Sequence, residues 1–406
     1  MAHARTRVIL TLGLFLARGA LRGDGPAGIA APPASSPRQT DSAGSSPGQP
    51  RATPTAPSQI EKRDAGLSAW DYSIDLRGGG GYRDNVLLSP SHRVASYFVS
   101  GGLDATVWRL PVSGTEFDLL LSGDDLHYMD APGVDKELVV TALARLKRNL
   151  PGDWQVGIET FYFYQDQILD ASSIEEVFET VHAIGQNLAV APTLRKGFGD
   201  KWWMATRFDF ARQFYHQPLD SHWQAGPEFT LGRGFGHGSE LSLTLDYHRR
   251  IYDDRTATDR FGAPRKAPRL SFDRVEAGVE WQQNWDAAGH WRATSRVAWE
   301  QNRDNGPGYY NYGRVAVAER LRYRAHGWEI KAFAKYSRYE YSIQTVSIDD
   351  PRHRDRENLL LNTRAERAVW KSLKLYGEYE YEWSFSNTFF DRYRVTTVSW
   401  GLGWEF

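Results

Sequence analysis

From Trp70 to Phe406 the chain repeats one pattern: apolar and polar side chains take turns, residue by residue. In one stretch Leu241, Leu243, Leu245 and Tyr247 alternate with Ser242, Thr244, Asp246 and His248. In another, Val275, Ala277, Val279 and Trp281 alternate with Arg274, Glu276, Glu280 and Gln282. Trp328, Ile330, Ala332, Ala334 and Tyr336 do the same against Glu329, Lys331 and Lys335, and Leu375, Tyr379, Tyr381, Trp383 and Phe385 against Lys374, Glu378, Glu380 and Glu382. A period of two is that of a β-strand, whose successive side chains point to opposite faces. Each strand therefore has one greasy face and one wet face.

A soluble sandwich alternates as well. These segments, however, run about 10 to 15 residues, against about 5–6 for soluble strands and about 9–11 for a strand tilted through a bilayer. Aromatics also stand towards the ends of the apolar faces: Trp291 and Trp299, Trp328 and Tyr336, Trp400 and Trp404. Interfacial girdles of a transmembrane barrel look like this. About sixteen segments begin near Trp70, Val94, Thr115, Leu138, Trp154, Ile184, Trp202, Trp223, Leu241, Arg274, Trp291, Tyr312, Trp328, Asn358, Leu373 and Tyr393. Short connections such as LPGD, GFGDK and AHG alternate with longer polar ones such as DDRTATDRFGAPRKAPRL and SIDDPRHRDREN. The pattern predicts an all-β, transmembrane antiparallel β-barrel over residues 67–406, of 16 strands with 14 or 18 as alternatives. Short turns then face the periplasm and longer loops face outward.

The front of the chain differs. Arg5 and Arg7 precede an apolar run from Val8 to Ala17, the layout of a secretory signal peptide and too short to span a bilayer as a helix. A signal peptide is expected over 1–30, and a Pro/Ser/Ala-rich disordered periplasmic tail over 31–66, because that composition buries too little to offset its ordering entropy. A mitochondrial-type presequence is the other reading of the same arginines. Aromatics make up 13% of the chain, an excess that suits two interfacial belts, and cysteine is absent, which removes disulfides and thiolate metal sites. The net charge of −1 leaves no basic bulk for nucleic acid.

Val398, Trp400, Leu402, Trp404 and Phe406 alternate up to the last residue. This ending resembles the C-terminal signature of bacterial outer-membrane barrel proteins, which implies that the barrel-assembly machinery reads it. The stretch Gly81-Tyr82-Arg83-Asp84-Asn85-Val86 resembles the Gly-Tyr-Asp-Asp-Asn-Val opening of β-barrel porin families, with Arg83 departing from the usual acid. Related openings occur in barrels that help secrete surface proteins, so the resemblance implies a Gram-negative outer-membrane location without choosing a function.

Sixteen strands enclose an aqueous channel rather than a packed interior. Placing the midplane at each strand centre puts Arg207, Arg296, Arg320, Lys335 and Arg364 on the inner wall with Glu159, Asp209, Glu228, Asp246, Glu280, Glu366 and Glu378. A salt-bridged lining that merely solvates the wall is the plainer reading for any one of them. After the fifth segment, Ser172 to Glu175 or Ser173 to Glu176 forms a capping box. Ile174, Val177, Phe178 and Val181 follow at helical spacing. In classical sixteen-stranded porins this loop folds inward. That resemblance implies an acidic rim of Asp166, Asp170, Glu175, Glu176 and Glu179, facing Lys331, Lys335 and Arg364 across a transverse field. A helix covering the barrel mouth or resting on a neighbouring protomer is the alternative.

Histidines are scattered and show no HExxH or other ligand spacing, no GxSxG is present, and the glycines of GRGFGHGS suit a turn. No cofactor, metal or catalytic set is expected. The function expected is passive diffusion of small hydrophilic solutes across the outer membrane; a barrel for secretion or assembly of polysaccharide or surface proteins is the alternative. Outer-membrane lipid is the other expected contact, and a homotrimer is left open.

Overall fold

The computed structural model describes residues 70–112, 114–170, 180–199, 201–286, 288–347 and 350–406; the expected signal peptide and tail lie outside them. Sixteen antiparallel strands form one closed barrel. They are β1 (Trp70–Arg83), β2 (Ser96–Val112), β3 (Thr115–Tyr128), β4 (Lys136–Leu150), β5 (Trp154–Asp170), β6 (Thr180–Phe198), β7 (Trp202–Tyr215) and β8 (His222–Gly234). The second half is β9 (Glu240–Thr258), β10 (Pro264–Asn284), β11 (Trp291–Asp304), β12 (Tyr312–Ala325), β13 (Trp328–Thr345), β14 (His353–Ala368), β15 (Leu373–Ser386) and β16 (Tyr393–Glu405). Each strand pairs with its sequence neighbours, and β1 closes on β16.

The alternation sorts the faces as the sequence requires. Leu243 is 52% exposed and Trp400 55%, whereas Glu300 and Arg274 on the opposite parity are 0% and 4%. Outward faces thus carry a continuous apolar band with aromatic ends: Trp70, Trp202, Trp291, Trp328 and Trp404 near one rim, Tyr82, Tyr97, Phe214 and Trp223 near the other. Inward faces carry charge. Only a closed sheet pairs every backbone N–H and C=O in hydrocarbon.

Closure depends on glycine at the seam. Gly79 and Gly401 stand directly opposite each other, and Tyr376 lies over them from β15. A Cβ at Gly79 would sit 2.4 Å from the Trp400 carbonyl and 2.5 Å from the Tyr376 hydroxyl. The glycine run that opens the barrel is thus what lets its last strand dock.

Most strand starts fall where the alternation places them, but three strands begin earlier. β10 starts at Pro264 rather than near Arg274, β14 at His353 rather than Asn358, and β6 at Thr180 rather than Ile184. All three lie on the long-loop side. There the ladder continues past the lipid, so hydrogen bonding persists after the apolar signal has stopped. Register shifts between Pro264 and Ser271 mark this outer, more polar stretch of β10.

Leu243→Arg places a charge on the lipid face of β9 and should destabilise the barrel by about 2–4 kcal/mol near the midplane. Denaturant unfolding from lipid vesicles measures this, and a loss under about 0.5 kcal/mol would contradict the outward assignment.

Candidate functional site

The inner wall is held by ion pairs that run both across strands and along them. Arg274 reaches Asp246 at 3.6 Å and Glu300 at 3.6 Å. Arg314 reaches Glu300 at 2.6 Å and Glu276 at 3.0 Å, and Arg296 reaches Glu276 at 2.6 Å. These five residues and Asp246 link β9 to β12. On the other arc, Arg207 bonds Glu159 at 2.9 Å and Asp209 at 2.6 Å, and His248 bonds Asp246 at 2.8 Å. Arg364 bonds Glu366 at 2.7 Å and Glu378 at 3.0 Å, and Arg77 bonds Asp104 and Asp124 at 3.2 and 3.1 Å. Alternation makes this possible, because inward residues on adjacent strands stand opposite one another within reach of long side chains.

One element leaves the wall. Along most of β5 the parity is clean: Ile158 is exposed and Phe161 is buried. From Gln165 to Asp170 both parities are buried, with no residue above 6% exposure. Ile168 packs with Val86, Leu88, Ala131, Val134, Tyr393 and Val395. Leu169, on the other face, packs with Val181, Ala183 and Leu219. Asp170 then meets Arg356 of β14 at 2.5 Å, although β14 stands almost diametrically across the barrel from β5. A strand confined to the wall cannot make that contact. The outer ends of β5 and β6, up to Asp170 and from Thr180, lean across the mouth at the long-loop end, and Asp170 latches them to the far side.

The latch is itself supported. Arg356 Nε donates to Asn358 at 2.8 Å. Beside it, Arg354 bonds Asp391 at 2.7 Å and donates to Gln344 at 2.9 Å, and the Tyr393 hydroxyl donates to Glu382 at 2.5 Å. Asp391 sits in the connection 387–392, beyond the strands. Burial alone would push its carboxyl up, but the Arg354 and Arg356 guanidiniums outweigh that and hold it at about 2.

The sequence-predicted residues are placed as follows. Arg207, Arg296, Arg320 and Arg364 all stand on inward parity, as do Lys331 and Lys335. Arg320 lies over the Phe333 ring at 5.5 Å, and Lys331 bonds Glu329 at 3.3 Å. Glu175, Glu176 and Glu179, with the expected capping box, lie outside the described residues. Asp166 and Asp170 are not brought to Lys331, Lys335 or Arg364: Asp166 meets His182 at 2.5 Å and Lys136 at 3.8 Å, and Asp170 meets Arg356. Val398, Trp400, Leu402 and Trp404 line the outward face of β16, with Phe406 following it.

Sequence reasoning missed two things. Arg354 and Arg356 fell inside what was read as a polar loop. An apolar inner patch of Leu143, Phe161, Ala189 and Ala211, with Leu120 and Phe163 beside it, interrupts the charged wall. Its trace in the sequence is the run Phe161-Tyr162-Phe163-Tyr164, which puts aromatics on both faces. Among the described residues no three of His, Asp and Glu converge to hold a metal ion.

No protein-family model matches the chain, and no curated protein matches it. Solved structures resemble it distantly. OccAB1 of Acinetobacter baumannii is 8% identical, over 83% of this chain and 96% of its own, with a TM-score of 0.44. OprD of Pseudomonas aeruginosa is 12% identical, over 83% and 95%, with a TM-score of 0.43. A bacterial polysaccharide outer-membrane secretin is 10% identical, over 82% and 98%, with a TM-score of 0.40. Likeness this low leaves function to the chemistry of the chain itself.

Asp170→Asn removes the charge opposite a buried guanidinium, which should weaken hairpin docking by about 3–5 kcal/mol. Hydrogen exchange over 165–170 and 180–184 should speed up while the β9–β12 wall stays protected. For Asp391 the folded pKa of about 2 lies below the ordinary 3.8. Its stabilisation is therefore full above about pH 4 and lost as pH falls through about 2. Pepsin at pH 3 should spare the exposed Phe389–Phe390 bond in the native barrel and cut it in Arg354→Gln.

Proposed function

We propose that the barrel is an outer-membrane channel for passive diffusion of small hydrophilic solutes, narrowed at its outer mouth by the β5–β6 hairpin. The observation that carries this reading is that the same strands present lipid-compatible side chains outward and charged side chains inward. A charged wall solvates ions and polar solutes without binding any one tightly, since Arg77, Arg207, Arg274, Arg314 and Arg364 already have carboxylate partners. The latched hairpin supports a limit on solute size at one depth. In this reading residues 1–30 direct export, 31–66 remain in the periplasm, and the Val398–Phe406 alternation serves assembly.

In planar bilayers the refolded protein should show steady open conductance, and deleting residues 167–182 to shorten the hairpin should raise it severalfold. Liposome swelling should follow small sugars and stop at larger ones. Silence in both assays, with the hairpin shortened and the barrel still migrating as a heat-sensitive compact form, would overturn the channel. Passage of polymer without small-solute conductance would favour a secretion barrel.

A further inference from the structure

At the short-turn rim the connections after β8 and β10 border an open cleft of about 420 Å³. Its apolar walls are Phe235, Trp281 and Trp285, and its polar edge is Ser239, Asn284 and Asp286. Phe235 and Trp281 share the parity of Leu231 and Val279, so they stand on the lipid side at the end of the apolar band. Their rings meet edge to face at 5.3 Å, and Trp285, 57% exposed, stacks on Trp291 at 6.0 Å.

Two charges flank these rings. Asp286 is fixed by the Trp291 N–H at 3.2 Å and by His290 Nδ1 at 2.6 Å. Desolvation opposes its ionisation, but those hydrogen bonds and the His290 charge together hold its carboxyl below the usual range. Arg233, exposed on the same face of β8, carries its guanidinium 5.1 Å from the Phe235 ring centre.

We propose that this cleft holds the headgroup of an inner-leaflet phospholipid with a primary ammonium beside its phosphate, of the phosphatidylethanolamine kind. Aromatic faces and a carboxylate attract an ammonium, and a guanidinium takes a phosphate. A zwitterion carrying both uses both ends of the site. The position agrees, because the rim where the apolar band stops is where lipid headgroups lie. An aromatic girdle without such a site would touch every lipid and choose none. The site faces lipid, so it stands whatever passes through the lumen.

The test is native mass spectrometry of the full barrel after equilibration with equal phosphatidylethanolamine and phosphatidylglycerol. The native protein should retain the ethanolamine lipid in preference. Asp286→Asn and Trp285→Leu should each lower that retention by about 3-fold or more, with heat-dependent migration unchanged, and Arg233→Gln should lower retention of both lipids. Equal retention of the two lipids, or variants that migrate as folded and retain lipid like the native chain, overturns the proposal. Should a variant not fold, tryptophan quenching of the native barrel by bromine-labelled acyl chains decides. Stronger quenching by the ethanolamine lipid supports the site, and equal quenching overturns it.

Discussion

Backbone hydrogen bonding in a medium without water governs this molecule. Each peptide N–H and C=O placed in hydrocarbon must find a partner within the protein, and a sheet can meet that demand only by having no edges. The pairing of β1 with β16 therefore carries more weight than any other contact. It brings Gly78–Gly81 against Ser399–Leu402, and the missing Cβ atoms at Gly79 and Gly401 leave room for Tyr376 to lie across the join. Once the sheet is closed, alternation needs no further instruction. One parity meets lipid and the other meets whatever fills the lumen.

The wall chemistry follows from that sorting. Inward residues on neighbouring strands face each other at fixed spacing, so long basic and acidic side chains interleave into networks rather than isolated pairs. Such pairs add little net stability over apolar packing, but losing one partner leaves a buried charge exposed to a large penalty. They act as a registry device. Glu276 is held by both Arg296 and Arg314, and a slip between β10 and β12 would separate all three. The wall is polar, and its charges are largely engaged with one another.

The β5–β6 hairpin uses the same forces in a different place. Its ladder continues beyond the lipid, where no hydrocarbon fixes the orientation of its faces. Ile168 and Leu169 are apolar on both parities, and in a wall one of them would meet water above the membrane. Leaning across the mouth buries both, and the pairing of Asp170 with Arg356 compensates the charge taken in with them. The outer end of this hairpin is thus a local departure from the alternation that builds the barrel.

Period, strand length and aromatic placement were enough to derive the closed barrel, its sixteen strands, and the inward side of Arg207, Arg296, Arg320, Lys331, Lys335 and Arg364, because each is set by a rule acting within one strand or between neighbours. Partnerships across the lumen were beyond that reach. That Asp170 finds Arg356, rather than Lys331 or Arg364, depends on how far a hairpin leans and on the height of each residue along its strand. Segments such as Arg352–Arg356 read as loop because lipid contact, not pairing, leaves the apolar trace. The sequence by itself determined which side chains face oil and which face water; the tertiary structure alone decided which charges meet across the mouth, because that depends on distances through space between residues that share no strand.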